Sequence, residues 1–158
     1  MLNNKPTCYL ICGFLGAGKT TYSKKLASTT NAIHLNADEW CMKLFAKDEY
    51  EKNWEVCFLK TMEHLWARAK EYAQQQKSVI FDIGFWNKPS RIEAKEKASR
   101  MGFLPVIHYV YAPDNILKER ISKRQGAIAE HNLKHFDEIK QLFEEPDETE
   151  NYIKIDNY

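Results

Sequence analysis

Long apolar runs are missing from this chain of 158 residues. None approaches the roughly 20 consecutive apolar residues that a membrane-spanning helix needs, so no membrane span is expected. The opening MLNNKPTCYLICGFLG lacks a basic stretch followed by a long apolar core and a small-residue cleavage site. It does not read as a secretory signal, and a cytoplasmic location is expected. Neither sign of charge is in excess: 23 Lys and Arg stand against 22 Asp and Glu, a formal net charge of +1. Such a balance supplies no global attraction for nucleic acid or an anionic membrane, although it leaves room for a local basic groove. The four cysteines (Cys8, Cys12, Cys41 and Cys57) contain no C-x-x-C pair. They are expected as reduced, mostly buried thiols. His34, His64, His108, His131 and His135 show no metal-ligand spacing, and His131 with His135, four apart, lacks a third ligand for zinc.

What is present is alternation. Apolar runs with β-branched or aromatic content occur at Cys8–Cys12, Ala32–Leu35, Ser78–Ile83, Pro105–Tyr111 and Tyr152–Ile155. Several are apolar at consecutive positions, as in strands buried on both faces of a parallel sheet. Helical patterns lie between them. Thr20–Ala27 is one. Trp54–Ala73 repeats Trp54, Phe58, Met62, Leu65, Ala69 and Tyr72 at steps of three and four, a stripe that places Trp54 in the core. Ser90 and Glu93 form a capping-box pattern opening a helix that Gly102 closes. Ile116–Arg124 and Leu133–Phe143 supply two more. The order β-α-β-(long helical insert)-β-α-β-α-α-β predicts a three-layer α/β fold of about five parallel strands with helices on both faces. It is expected to form one domain over residues 1–158, with no internal repeat or low-complexity linker. The acidic run FEEPDETE, residues 143–150, reads as a solvated loop before the last strand.

Glycine is scarce, at six residues, yet Gly13, Gly16 and Gly18 cluster in GFLGAGKT, residues 13–20. The pattern is G-x-x-x-x-G-K-[ST], placed between a predicted strand and a predicted helix. A loop that wraps a phosphate must turn successive N–H groups inward, and glycine allows the positive φ and close approach this requires. The following helix adds its positive N-terminal end. The stretch Gly13, Phe14, Leu15, Gly16, Ala17, Gly18, Lys19, Thr20 and Thr21 is therefore expected to hold a nucleoside triphosphate. In it Lys19 bridges the β- and γ-phosphates and the Thr20 hydroxyl ligates Mg²⁺. An aspartate at the end of a neighbouring strand should orient the magnesium water shell, and Asp82 ends the buried run SVIFD.

With these residues placed, the chain resembles small P-loop kinases of the gluconate kinase, chloramphenicol phosphotransferase and polynucleotide kinase type, over nearly its whole length. The resemblance implies an aspartate after the second strand that approaches the acceptor hydroxyl, and Asp38 of IHLNADEW stands there. It implies a helical region covering the acceptor, about residues 38–76, and a lid near the C-terminus, about residues 120–137. The lid of such kinases carries an arginine pair ahead of a phenylalanine, glutamate and proline; Arg120, Arg124, Phe143, Glu144 and Pro146 echo that order. The stretch RQGAIAEHNLKHF lacks the histidine–phenylalanine signature of gluconate kinases, so the resemblance does not extend to a sugar-acid acceptor. It implies ATP and Mg²⁺ as cofactors. NKPS at 87–90 is not the N-K-x-D of guanine-specific GTPases, which also favours ATP as donor.

Arg120 and Arg124 are four apart on a predicted helix and share a face. Planar guanidinium groups suit a phosphoryl group whose charge spreads over several oxygens. Arg91, at the start of the helix after Asp82, is a third arginine expected to reach the phosphates or the acceptor. Trp40, Trp54 and Trp86 are candidates for an aromatic acceptor wall. Asp38 has a structural alternative, as N-cap of a helix beginning near Trp40. Two functional readings follow. One is a kinase passing the ATP γ-phosphoryl group to a hydroxyl of a small molecule or a nucleic-acid end. The other is a nucleotide-dependent switch or weak ATPase acting through a partner, which needs Lys19, Thr20 and Asp82 but not Asp38. About 40 residues between the second and third strands exceed a connection of roughly 2–6 residues plus one helix, which favours the kinase. Oligomeric state is not legible in the sequence.

Overall fold

A computed structural model describes residues 4–158. Five strands, β1 (Thr7–Cys12), β2 (Ile33–Asn36), β3 (Val79–Gly84), β4 (Leu104–Tyr111) and β5 (Tyr152–Asp156), form one sheet in the order β2-β3-β1-β4-β5. Every neighbouring pair is parallel. The three-layer fold with helices flanking an all-parallel sheet is the one the alternation predicts. All five strands fall where the apolar runs put them.

Burial explains the pattern. Leu10 and Ile11 of β1, Val79, Ile80 and Phe81 of β3, and Ile107 and Val110 of β4 are fully enclosed. Each such side chain contributes about 1.5–3 kcal/mol by leaving water. Trp66 stacks on Phe81 with ring centroids 4.2 Å apart and fastens the long connecting helix to the sheet. Four cysteines are buried as free thiols.

The helices are α1 (Lys19–Thr30), α2 (Ala37–Leu44), α3 (Lys47–Lys52), α4 (Trp54–Gln74), α5 (Lys88–Arg100), α6 (Asp114–Ser122), α7 (Ala127–Lys134) and α8 (Phe136–Lys140). Four details depart from the sequence reading. Helix α5 opens three residues earlier than the Ser90 box implies, because Asn87 caps it by accepting from the Ser90 N–H at 2.9 Å. The helix expected over Leu133–Phe143 is two, α7 and α8, broken where His135 leaves helical angles (φ −105°, ψ 24°) and buried Phe136 turns onto Phe14. Trp54 is not core: it opens α4 and is 54% exposed. The acidic run is not wholly a solvated loop either, since Glu150 is buried.

The topology decides where a ligand can sit. From β1 the chain crosses β3 to reach β2, and from β3 it crosses β1 to reach β4. Connections that leave adjacent strands in opposite directions open a crevice at the strands' carboxyl ends. Cys12 and Gly84, the last residues of β1 and β3, lie side by side there. A register shift between Ile11 and Cys12 brings them opposite each other.

Candidate active site

The loop after β1 begins with Gly13, whose N–H donates to the Gly84 carbonyl at 3.1 Å. A Cβ on Gly13 would lie 2.7 Å from the Val110 carbonyl oxygen, so only glycine fits. The loop ends at Gly18 in the left-handed region (φ 87°), which aims the chain into α1. Helix α1 has no side-chain cap and no acidic residue in its first turn. Its leading N–H groups and the positive end of its dipole therefore remain available to an anion. The residues fit a polyphosphate.

Lys19 sits inside this arc, its Nζ donating to the Phe14 carbonyl at 2.9 Å. Burial lowers its pKa, while the nearby Asp82 carboxylate acts the other way. An ammonium group enclosed like this gains strongly from a partner anion.

Asp82 is buried two residues before the end of β3. Its Oδ2 accepts from Asn36 Nδ2 at 2.8 Å and lies 3.0 Å from His34 Nε2. Burial alone would raise its pKa. Hydrogen bonds from His34, Asn36 and Thr20 outweigh that and hold it below the ordinary aspartate value. The Thr20 hydroxyl, 3.4 Å from Asn36 Nδ2, joins loop to strand end. A hydroxyl beside an ionised carboxylate, facing a phosphate loop, is a donor set suited to Mg²⁺. Among the described residues, no three His, Cys, Asp or Glu side chains converge as a metal cage.

Asp38 lies in the first turn of α2, not at its cap. The cap is Asn36, whose side-chain oxygen accepts from the Glu39 N–H at 2.8 Å. The structural alternative for Asp38 is thereby filled by another residue. Asp38 is exposed, yet its pKa is raised, first by partial desolvation and then by the Asp82 carboxylate; Lys19 opposes both. Its charge also acts on the Tyr50 hydroxyl, whose pKa burial raises first.

The three arginines separate. Arg124 is exposed in the turn after α6, near enough for its charge to depress Lys19. Arg120 braces the loop from outside: Nη1 donates to the Gly16 and Ala17 carbonyls at 3.3 and 3.4 Å, and Nη2 to the Asn157 carbonyl at 2.6 Å. Its guanidinium is thus engaged with backbone. Arg91 contradicts its expected role outright. It is 0% exposed, and its Nε and Nη2 donate to the two carboxylate oxygens of Glu150 at 2.6 and 3.0 Å. A buried guanidinium requires such a partner, and the ion pair with Glu150 turns Arg91 inward, away from solvent.

Of the tryptophans, Trp86 borders the loop, its ring 5.2 Å from that of Phe14. Trp40 packs against His64, 5.0 Å between rings, and Trp54 is at the surface. Sequence reasoning missed His34, Asn36, Tyr50 and Asn157. The Asn157 amide donates to the Ala17 carbonyl at 2.7 Å and occupies the space beside Gly18. Asn36 was readable only as a strand end, because nothing local says that β2 pairs with β3 and sets it opposite Asp82.

A family profile described as "AAA domain" matches residues 9–146. The comparison with curated proteins returns no match. Among solved structures, a sugar kinase from Janibacter sp. HTCC2649 is similar at 18% identity, covering 96% of this chain and 85% of that one, with a TM-score of 0.69. A gluconokinase from Sinorhizobium meliloti 1021 is similar at 15% identity, 98% and 85% coverage, and a TM-score of 0.65. A shikimate kinase from Aquifex aeolicus is similar at 22% identity, 96% and 87% coverage, and a TM-score of 0.66. These likenesses are of fold.

Proposed function

This chain belongs to the AAA-domain family, and we propose that it transfers the γ-phosphoryl group of ATP to a hydroxyl of a small molecule or a nucleic-acid end. The observation that carries the proposal is Asp38: a carboxylate relieved of capping by Asn36, coupled electrically to both Lys19 and Asp82. A switch or simple ATPase has no use for it. The kinases of similar fold support the same reading by analogy.

Phosphoryl transfer needs positioning and charge neutralisation more than covalent help. The backbone N–H groups of Gly13–Thr21 hold the triphosphate, and Lys19 leaves the Phe14 carbonyl for its oxygens. Thr20 would serve as the protein ligand for Mg²⁺ and Asp82 would orient that ion's water; the chemistry the ion would supply there is neutralisation of phosphate charge. Asp38 accepts a hydrogen bond from the acceptor hydroxyl, aims its lone pair at phosphorus and takes its proton late. Arg124, on the segment that serves as lid, closes on the phosphoryl oxygens. Tyr50 and Trp86 border the acceptor side. The experiment that tests this is ATP turnover against a panel of acceptors, preceded by a thermal-shift screen with a non-hydrolysable analogue. Turnover that depends strongly on one acceptor supports the kinase. Hydrolysis indifferent to every acceptor overturns it.

Two substitutions probe individual roles. Thr20→Ala and Asp82→Asn should both displace the curve of initial rate against Mg²⁺ to higher concentration, the first by removing a ligand and the second by weakening the water shell. Curves that coincide with wild type would leave Asp82 only a structural strand end. Arg124→Lys should lower kcat roughly tenfold or more while leaving the KM for ATP close to wild type, a fraction of the 10³–10⁵ a phosphoryl-clamping arginine supplies. Lysine keeps the charge but lacks the planar fork that grips two oxygens. An unchanged kcat would demote Arg124 to a surface charge.

A further inference from the structure

Arg91 is a large, fully buried cation outside the reacting groups, and its bonds reach two segments around the crevice. On the β3 side, Nη1 donates to the Phe85 carbonyl at 2.9 Å. Phe85 has φ 45°, in the left-handed region that a phenylalanine rarely occupies, so its conformation requires outside support. The Cys12 thiol, its pKa pushed up to about 12 by burial, lends a second donor to the same carbonyl at 3.5 Å. On the C-terminal side, Arg91 Nη1 donates to the Glu144 carbonyl at 2.9 Å and the guanidinium grips Glu150 with two bonds.

Other bonds stitch the same two segments together. The Glu144 N–H donates to the Trp86 carbonyl at 2.8 Å, and the Lys88 N–H donates to Glu144 Oε2 at 3.0 Å. Glu150 meanwhile accepts from the Asp147 N–H at 2.9 Å, closing the capping box of the short 3₁₀ turn Glu148–Glu150. Immediately beyond this seam, Phe14 of the phosphate loop is ringed by Trp86, Phe136 and Phe143 at centroid distances of 5.2, 5.5 and 5.8 Å. Lys140 lies over the Phe14 ring at 4.9 Å. The end of the α6–α8 segment, the connection after β3 and the loop therefore meet at one aromatic cluster. Arg91 is the only fully buried charged residue among those described here that bonds both flanking segments.

We propose that Arg91 is the positioning residue of the lid root: by bonding Phe85, Glu144 and Glu150 it fixes the hinge end of the lid to the acceptor-side wall and against Phe14, so that nucleotide bound in the loop orders the lid. The inference rests on the kinase reading for the word lid, and the pair itself touches no substrate. A buried ion pair that served stability alone would be replaceable by apolar residues of similar volume. This one holds backbone carbonyls of two segments at once, and one of them is in a strained conformation.

The test is hydrogen exchange by NMR on the full chain, with and without magnesium and a non-hydrolysable ATP analogue, alongside calorimetry of that analogue. Arg91→Lys loses the fork; Glu150→Gln keeps shape and one acceptor oxygen, and serves where the lysine variant does not fold. The amides of Lys88 and Glu144 should exchange roughly tenfold faster in the variants while those of β1 and β4 hold their wild-type rates. The analogue should slow exchange across the lid, about residues 120–137, in wild type and fail to do so in the variants, although its affinity persists. Faster exchange spread evenly over the sheet would reduce the pair to a stability element and overturn the inference. Variant lids ordered by the analogue as in wild type would overturn it too, with the kinase reading intact. A wild-type lid indifferent to the analogue would overturn both.

Discussion

Lys19→Ala is expected to abolish phosphoryl transfer and to weaken ATP binding by about 1.5–3 kcal/mol, on the order of 10- to 150-fold in Kd, the scale of a hydrogen bond to a charged group. The ammonium group is enclosed by the loop, and burial depresses its pKa. It is therefore a cation with little water to compete for it, placed where a triphosphate would concentrate its charge. The substitution should cost more in rate than in affinity, because the charge that Lys19 meets grows on the bridging oxygens as transfer proceeds. Folding should change little, since the side chain makes one hydrogen bond, to the Phe14 carbonyl. Calorimetry with ATP and single-turnover transfer make the comparison. Wild-type affinity and rate in the variant would sink the phosphate-loop assignment.

Asp38→Asn should lower transfer by roughly 10²–10⁴, the loss expected when general-base help disappears, with ATP affinity near wild type. Stability is the control. Asn36 caps α2, so the variant gives up only a favourable first-turn charge, worth about 0.3–1 kcal/mol, and its melting curve should nearly overlay the parent's. A pH signature accompanies the loss. Transfer requires the ionised carboxylate, and desolvation with repulsion from Asp82 raises the Asp38 pKa. The wild-type rate should therefore begin to fall on acidification at higher pH than an ordinary aspartate dictates, and that limb should vanish from the residual activity of the variant. Single-turnover transfer to an identified acceptor across pH reads both effects. Full activity in a stable Asp38→Asn protein would remove the acceptor-side base and favour a nucleotide switch.

Legibility along the chain followed the range of the forces involved. The strands were visible because a strand covered on both faces must be apolar at successive positions, as Val79–Phe81 are. The phosphate loop was visible because its constraint is local: Gly13 and Gly18 answer to backbone geometry within a few residues. Helix ends were less so. Ser90 and Asn87 both fit a cap by type, and the choice went to the residue whose backbone lay extended. Trp54 matched the apolar stripe of α4 in period, but it stands at the helix's first residue, where it is exposed and the buried face of α4 begins only at Cys57.

Arg91 was misread for a reason of the same kind. Its sequence neighbourhood, the first turn of a helix after the Asp82 strand, is also where an arginine facing the crevice would stand. Only the return of the chain through residues 143–150 beside α5 supplies Glu150 and turns the guanidinium inward. The acidic run and the lone arginine were two halves of one ion pair 59 residues apart.

Local chemistry was enough to place five strands and a glycine loop after the first, and to nominate Lys19, Thr20, Asp38 and Asp82 as the polar residues of the proposed site, since each depends on backbone conformation or on position near a strand end. The strand order β2-β3-β1-β4-β5 decided the rest. It set Asn36 beside Asp82, laid Asn157 and Arg120 against the loop, and buried Arg91. These pairings join residues far apart in the chain, and their partners are selected by which surfaces meet when the sheet assembles, which no spacing along the sequence encodes.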